Sequence, residues 1–226
     1  MMKKSMWVIL LTAFMAAAPN GLEMARDRQD RPALQKAVDE SSAAAARAPN
    51  DVNAQYRLAL AASYLAEVAQ EMHDKKQAQQ AAEVGIKAAE KAVALRPGAE
   101  NYRILGMLCG QAITDILSGL SYGPRAKSAI DKAVELAPRS AAAYLARGVG
   151  NFYVPAQLGG GAKPAIADFR RAIELEPANA EAYLWLGVAL HKDNQPAEAR
   201  QALAKSLALN PNRLWAKQEL DKIPAK

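Results

Sequence analysis

The 226-residue sequence predicts an all-α protein, a solenoid of antiparallel helix hairpins, and three observations support this. Hydrophobic residues make up 51% of the chain but aromatic residues only 6%, and alanine, the residue with the highest helix propensity, is abundant. Valine, isoleucine and threonine do not form the alternating runs that are typical of strands. Several helix-like segments end in a proline after closely similar sequence, which indicates an internal repeat.

The first 18 residues have the pattern of a secretory signal peptide. Two lysines precede a short apolar run that ends in small residues. The run is shorter than the ~20 apolar residues that a membrane-spanning helix needs. We therefore expect residues 1–18 to be removed and the mature chain to enter a bacterial periplasm without a transmembrane helix. Pro19 leaves the cleavage point open, between ordinary cleavage at a neighbouring bond and slow processing. No cysteine lies near the leader, so a lipoprotein is not expected.

A charged segment separates this leader from the repeats. Residues 19–31 carry six charged side chains and little apolar content, which predicts a mobile lead-in. The solenoid domain is expected over residues 32–226. Its helices end in similar text at four places, KAVALRP (91–97), KAVELAP (132–138), RAIELEP (171–177) and KSLALNP (205–211). Proline lacks an amide hydrogen and cannot continue a helix, so each of these segments closes a unit.

The repeats resemble the tetratricopeptide repeat (TPR) family. Pro177 and Pro211 are 34 residues apart, which is the period of a TPR helix–turn–helix unit. Residues at the family's packing positions are Tyr183, Gly187, Ala199 and Leu203 in the last unit, Tyr144, Gly148 and Phe169 in the one before, and Tyr102, Gly106 and Ala126 in the one before that. Arg147 stands where an apolar residue is expected.

The resemblance implies about four units, with elongated units at the N-terminus. They are expected near residues 52–97, 99–138, 141–177 and 180–213. A capping helix is predicted at 212–222, where Trp215 and Leu220 would face inward and shield the end of the stack. Two insertions are predicted inside adjacent hairpins. The first, near 117–124, would lengthen a helix that begins at residue 99. The second, 151–161, contains a run of three glycines and serves as either a lid or a structural plug.

The sequence offers little support for catalysis. Cys109 is the only cysteine, and the two histidines, His73 and His191, lie in distant units, so neither a metal site nor an activated nucleophile is indicated. The glycine run before Lys163 lacks the spacing of a phosphate-binding loop. The net charge of +6 comes from basic residues interleaved with acids, which does not indicate nucleic-acid binding. We therefore expect a non-enzyme with no cofactor and no metal.

The resemblance also implies which residues line the concave groove, because the first helix of each TPR hairpin faces it. The candidate contacts are Arg103, Met107, Leu145, Val149, Phe152, Tyr153, Leu184, Val188 and His191. Either this groove is open, or a neighbouring helix fills it. The lysine, asparagine and arginine clamp by which some TPR domains hold a peptide carboxylate is absent.

Two functional hypotheses are consistent with the sequence. The first is a periplasmic scaffold or adaptor whose groove binds another envelope protein or peptide. The second is a carrier or accessory protein for an apolar small molecule or lipid beside an envelope transport system, which requires a closed apolar pocket.

Overall fold

In the computed structural model, residues 21–224 are described, so the predicted leader lies outside the described residues. Within this range the chain forms eleven α-helices and no strand, which confirms the predicted all-α fold. The helices are α1 (Gly21–Asp27), α2 (Arg31–Arg47), α3 (Val52–Glu71), α4 (Lys75–Leu95), α5 (Ala99–Gln111), α6 (Ile116–Leu136), α7 (Ala141–Tyr153), α8 (Ala162–Leu175), α9 (Ala180–Lys192), α10 (Pro196–Leu209) and α11 (Leu214–Asp221). None of the helices in this range is long and apolar enough to cross a membrane.

Many of the helices begin at polar caps. A side chain of the residue before the helix accepts a hydrogen bond from a backbone N–H of the first turn, which would otherwise have no partner. The capping residues of this kind are Asp30, Asp51, Asp74, Asp115, Ser140 and Asn179. Prolines follow the ends of α4, α6, α8 and α10 within two residues, as the repeat text predicts.

Consecutive helices pair as the hairpins α3–α4, α5–α6, α7–α8 and α9–α10, and the hairpins stack into a TPR-type solenoid. Glycines allow the closest approaches within them. A methyl group on Gly148 would lie 2.5 Å from Phe169 Cε1, and one on Gly187 would lie 2.6 Å from Leu203 Cγ. A methyl group on Gly106 would likewise lie 2.6 Å from Ile130 Cγ1. Small residues at these positions are therefore required by the helix separation.

The first insertion lies in a different helix from the one predicted. Helix α5 ends at Gln111, and α6 begins at Ile116 and continues through Pro124. The cause is a capping box: Asp115 accepts a hydrogen bond from the Ser118 N–H at 2.8 Å, and the Ser118 hydroxyl accepts one from the Asp115 N–H at 3.0 Å. The extra residues therefore lengthen the second helix of the hairpin.

The predicted mobile lead-in is also different in the structure. Over its described part, residues 21–27 form α1, in which Ala25 and Asp27 are buried. Helix α1 packs against α2 and α3. The charged side chains that predict mobility here have partners on the distant elements around Glu181 and Asn210, which local composition does not reveal.

The second insertion is a folded loop between α7 and α8. After Tyr153 the chain makes a single 3₁₀ turn, and Gly159 and Gly161 adopt positive φ values of 85° and 99°, which favour glycine. Gly160 lies against the Val154 backbone, where a methyl group would clash. Lys192 of α9 donates a hydrogen bond to the Phe152 carbonyl at 3.0 Å. Tyr153 and Leu158 remain largely exposed.

Arg147, the charged residue at an apolar repeat position, has a partner within its own hairpin. Its guanidinium lies 2.6 Å from Asp168 Oδ1 on α8, and Asn151 donates to the other carboxylate oxygen at 2.8 Å. Asp168 is 5% exposed, so the pair satisfies a buried carboxylate.

Two hydrophobic clusters make up most of the core. One is formed mainly by α2 to α5 with a contribution from α1, and the other by α7 to α11. Charged and polar contacts between α1, α3, α9 and α11 connect the two halves of the solenoid, and these contacts define the candidate site.

Candidate functional site

The centre of the site is a buried arginine at the start of the capping helix. Arg213 has a side chain that is 1% exposed. Its guanidinium donates to Glu181 on α9 at 2.8 Å, and to Glu67 and Glu71 on α3 at 2.7 and 3.1 Å. These three carboxylates come from the first helices of the first and last repeats. Arg213 therefore joins the two ends of the stack.

Helix α1 contributes a second arginine to the same cluster. Arg26 lies 3.3 Å from Glu181 Oε1, and its guanidinium is 5.0 Å from the centre of the Tyr64 ring. The neighbouring Asp27 accepts a hydrogen bond from the Asn210 side chain at 2.7 Å. These contacts place α1 between α3 and the C-terminal helices.

The cluster contains more acids than bases. Asp27, Glu67, Glu71 and Glu181 contact Arg26 and Arg213, so full ionisation of these six groups gives them a net charge of −2. Burial raises the pKa of Glu67 to about 7, although Arg213 and Arg26 oppose the change.

The two acids beside Glu67 shift in opposite directions. Burial also raises the pKa of Glu71. At Glu181 burial acts in the same sense, but the attraction of Arg213 and Arg26 outweighs it, and the pKa of this carboxyl is lowered. Glu181 therefore keeps its charge more firmly than Glu67 and Glu71 do.

A cavity of about 600 Å³ lies beside this cluster on the concave side. Its lining residues come from the end of α3, from α7, from α9 and from α11: Glu67, Gln70, Glu71, His73, Tyr153, Trp185, Val188, Trp215, Gln218, Glu219 and Lys222. The ring centres of Trp185 and Trp215 are 4.9 Å apart with the planes at 67°, and Tyr153 lies 6.1 Å from Trp185. The cavity thus has aromatic walls and an acidic side.

The structure separates the predicted groove residues into groups. Tyr153 and Val188 line the cavity. Leu145, Val149 and Phe152 are half-buried and pack against the C-terminal core. Phe152 also has the Lys192 ammonium 4.1 Å from its ring centre.

Two other predicted contacts occupy different positions. Leu184 is completely buried in the C-terminal core, so the prediction that it contacts a ligand is wrong. Its neighbour Trp185 lines the cavity instead, because the helix turns by about 100° per residue. His191 is half-buried near the end of α9 and is not among the cavity-lining residues of the described chain.

Arg103 and Met107 lie together, but on the α3–α5 side of the groove. Arg103 donates to Glu100 Oε2 at 2.8 Å, and its Nη1 lies 2.7 Å from Met107 Sδ. The Tyr56 hydroxyl donates to Glu100 at 2.6 Å. This set links the first helices of two adjacent repeats and is separate from the cavity.

The residues that sequence reasoning misses come from two places. Glu67 and Glu71 belong to the first repeat, whose sequence is too divergent to align with the later units. Arg213 follows a helix-ending proline, and its partners are distant in the sequence, so the repeat pattern does not identify it as a functional residue. Trp215 is expected to face inward, and it does so at the cavity wall.

Cys109 is buried, and burial raises the pKa of its thiol to about 11, which keeps it protonated. Between residues 21 and 224 no group of three or more histidine, cysteine, aspartate or glutamate side chains is arranged to hold a metal ion.

The fold is a TPR-type α-solenoid, and family models of this type match part of the chain. A model described as "TPR repeat" matches residues 163–194, and one described as "Tetratricopeptide repeat" matches residues 180–213. Both fall in the two C-terminal units, where the 34-residue spacing occurs. No curated protein sequence matches the chain.

Solved structures share the architecture. The structure of TTC0263, a thermophilic TPR protein in Thermus thermophilus, has a TM-score of 0.56 and 20% identity, and the match covers 84% of this chain and 98% of that one. A chain of the APC/C hetero-tetramer Cut9-Hcn1 has a TM-score of 0.50 and 13% identity, with 90% of this chain and 48% of that chain covered. These similarities concern the fold.

Proposed function

We propose that this protein is an exported, non-catalytic TPR adaptor that binds a peptide segment of another envelope protein in the concave cavity. The observation that carries the proposal is the cavity itself, with Tyr153, Trp185 and Trp215 as its walls and polar groups at its edge. Tyrosine and tryptophan supply large contact areas at low entropic cost, and they are enriched where proteins bind one another. Export rests on the signal-peptide pattern of residues 1–18.

The alternative, a carrier of an apolar molecule or lipid, has less support. A lipid pocket requires an enclosed apolar lining, because each unpaired polar group that a lipid chain covers costs free energy. The lining of this cavity includes Glu67, Glu71 and Gln218. An extended peptide carries its own donors and acceptors and can satisfy these groups.

A comparison of two variants tests the proposal. Tyr153→Ala combined with Gln218→Ala removes two exposed side chains from the cavity lining. The matched control combines Lys205→Ala with Glu135→Ala, two exposed positions on the second helices α10 and α6. We expect a protein partner to co-purify stoichiometrically from envelope extract with the wild type and the control, and to be lost from the cavity variant.

The same purified material distinguishes the two hypotheses. Mass spectrometry of an organic extract should find no stoichiometric lipid if the protein is an adaptor. Stoichiometric lipid bound by the wild type, together with no partner protein, would establish the carrier function and refute the proposal. Equal partner recovery by all three proteins would refute the cavity as the binding site.

A further inference from the structure

The groove already binds two arginine side chains of its own chain by the same chemistry. Arg26 combines the Tyr64 ring with the Glu181 carboxylate, at 5.0 and 3.3 Å. Arg213 combines the Trp215 ring, 5.5 Å from its guanidinium, with Glu67 and Glu71. In each case an aromatic face and a carboxylate contact one guanidinium. Cations are attracted to aromatic faces, and a partly desolvated site strengthens the attraction.

The cavity lining also combines aromatic and acidic side chains, of which Trp215, Glu67 and Glu71 already contact Arg213. Tyr153, Trp185 and Trp215 form its aromatic side, and Glu67, Glu71 and Glu219 form its acidic side. Glu219 is paired with Lys222 at 2.6 Å, but the Lys222 side chain is 55% exposed. An incoming cation can therefore replace Lys222 while the ammonium of Lys222 returns to solvent.

The charge balance favours a cationic occupant over an anionic or neutral one. Five acids surround this region, Asp27, Glu67, Glu71, Glu181 and Glu219, and three bases offset them, Arg26, Arg213 and Lys222. Burial already raises the pKa of Glu67 and Glu71 in this region, and an anionic ligand would further oppose their ionisation, which is unfavourable in a partly buried site. A guanidinium would instead favour their ionised form, and its planar shape allows it to stack on a ring and pair with a carboxylate together.

We propose that the cavity binds an arginine side chain in an extended segment of the partner protein, between the Tyr153 and Trp215 rings and the Glu67 and Glu219 carboxylates. This inference rests on the proposed adaptor function and names the chemical class of its ligand. The partner segment would be basic, whereas the chain itself supplies the acids.

The test measures binding of two blocked peptides to the purified protein by isothermal titration calorimetry at low ionic strength. One is acetyl-Gly-Arg-Gly-Arg-Gly-amide, and the other has citrulline, a neutral isostere, in place of each arginine. We expect the arginine peptide to bind about tenfold more tightly. The preference should fall below about threefold in a variant with Tyr153→Ala and Glu219→Gln. Glu135→Gln, an exposed acid on α6 that is paired with Lys132, should leave it unchanged.

Equal binding of the two peptides would overturn the inference, as would no detectable binding of the arginine peptide at about 1 mM. A preference that survives in the Tyr153 and Glu219 variant would also overturn it. A circular-dichroism melt of each variant shows whether it is folded, and Glu219→Gln preserves the side-chain volume. The adaptor function fails separately: if a partner co-purifies but the peptides bind equally, the function stands and the arginine assignment falls.

Discussion

At the scale of single residues, Arg213 is the residue whose contacts connect the first and last repeats. It is a buried cation held by carboxylates from α3 and α9, and neither its burial nor its partners follow from the local sequence. The sequence predicts that Arg213 lies at the start of a capping helix but does not predict its partners, because a contact between residues 142 positions apart produces no periodic pattern in the sequence. The glycines that separate paired helices, by contrast, are predictable, since they recur at the same place in each repeat.

The first prediction concerns this arginine. Arg213→Ala leaves Glu67, Glu71 and Glu181 buried without their shared cation, so we expect it to lower the free energy of unfolding by about 3–5 kcal/mol. Arg139→Ala, an exposed arginine on the loop before α7, serves as the control and should change it by less than about 0.5 kcal/mol. Urea denaturation at pH 7 measures both. If both variants lowered the free energy of unfolding by the same small amount, the role of Arg213 as the shared cation of the three carboxylates would be contradicted.

The second prediction concerns pH. The pKa of Glu67 is raised to about 7 in the folded protein from an ordinary value of 4.5. The folded state therefore binds this proton more tightly than the unfolded state does. The stabilisation of the fold that results is fully present below pH 4.5 and is lost as the pH rises through 7. The charges that face Glu67 are Arg213 before α11, Arg26 on α1, Glu181 on α9 and Glu71 on α3.

Glu67→Gln removes this titration while keeping the shape of the side chain. Between about pH 5 and pH 8 the wild type should lose more stability than the variant, by on the order of 1–3 kcal/mol. Denaturant midpoints at several pH values provide the measurement, and Glu135→Gln, an exposed acid outside the cluster, should follow the wild type. Parallel pH profiles for wild type and Glu67→Gln would show that Glu67 titrates normally.

At the scale of helices, the repeated sequence segments predict where several helices end. The ends of α4, α8 and α10 before prolines fall where the repeated segments predict, because proline acts locally. Helices α6 and α1 differ from the prediction. In α6 a capping box at Asp115 outweighs the glycine and proline that suggest a turn at 117–124. In α1 distant charge pairs order a segment whose composition predicts mobility.

A matched pair of glycines in α7 tests how closely the helices of one hairpin pack. Gly148→Ala would place a methyl group 2.5 Å from the Phe169 ring and force the two helices apart. We expect a loss of about 1–3 kcal/mol in unfolding free energy. Gly150, two residues further on the same helix, has no neighbouring atom within 4 Å of the position that a methyl group would take, so Gly150→Ala should instead stabilise by about 0.5–1 kcal/mol. Thermal melts of both variants measure the effect, and shifts of the same sign would contradict this account.

At the scale of the whole molecule, the two ends of the solenoid are brought together. Arg213 connects the last repeat to the first, α1 lies between them, and Gln29 exchanges hydrogen bonds with Gln218 of the capping helix at 3.2 Å. The predicted concave groove is therefore partly occupied by charged side chains and α1. The aromatic and acidic cavity lies beside these groups. Its lining comes from α3, α7, α9 and α11 together, which is why the sequence of the later repeats alone could not define it.

The central claim, that this cavity is where a partner protein binds, can be tested directly by site-specific photo-crosslinking. A benzophenone amino acid is placed in the envelope-expressed protein at Gln218, which lines the cavity, and in a separate variant at Lys205, which is exposed on the second helix of the last repeat. On irradiation we expect a discrete higher-mass adduct from position 218 and none from position 205. Adducts of equal yield from both positions, or an adduct from position 205 alone, would contradict the claim.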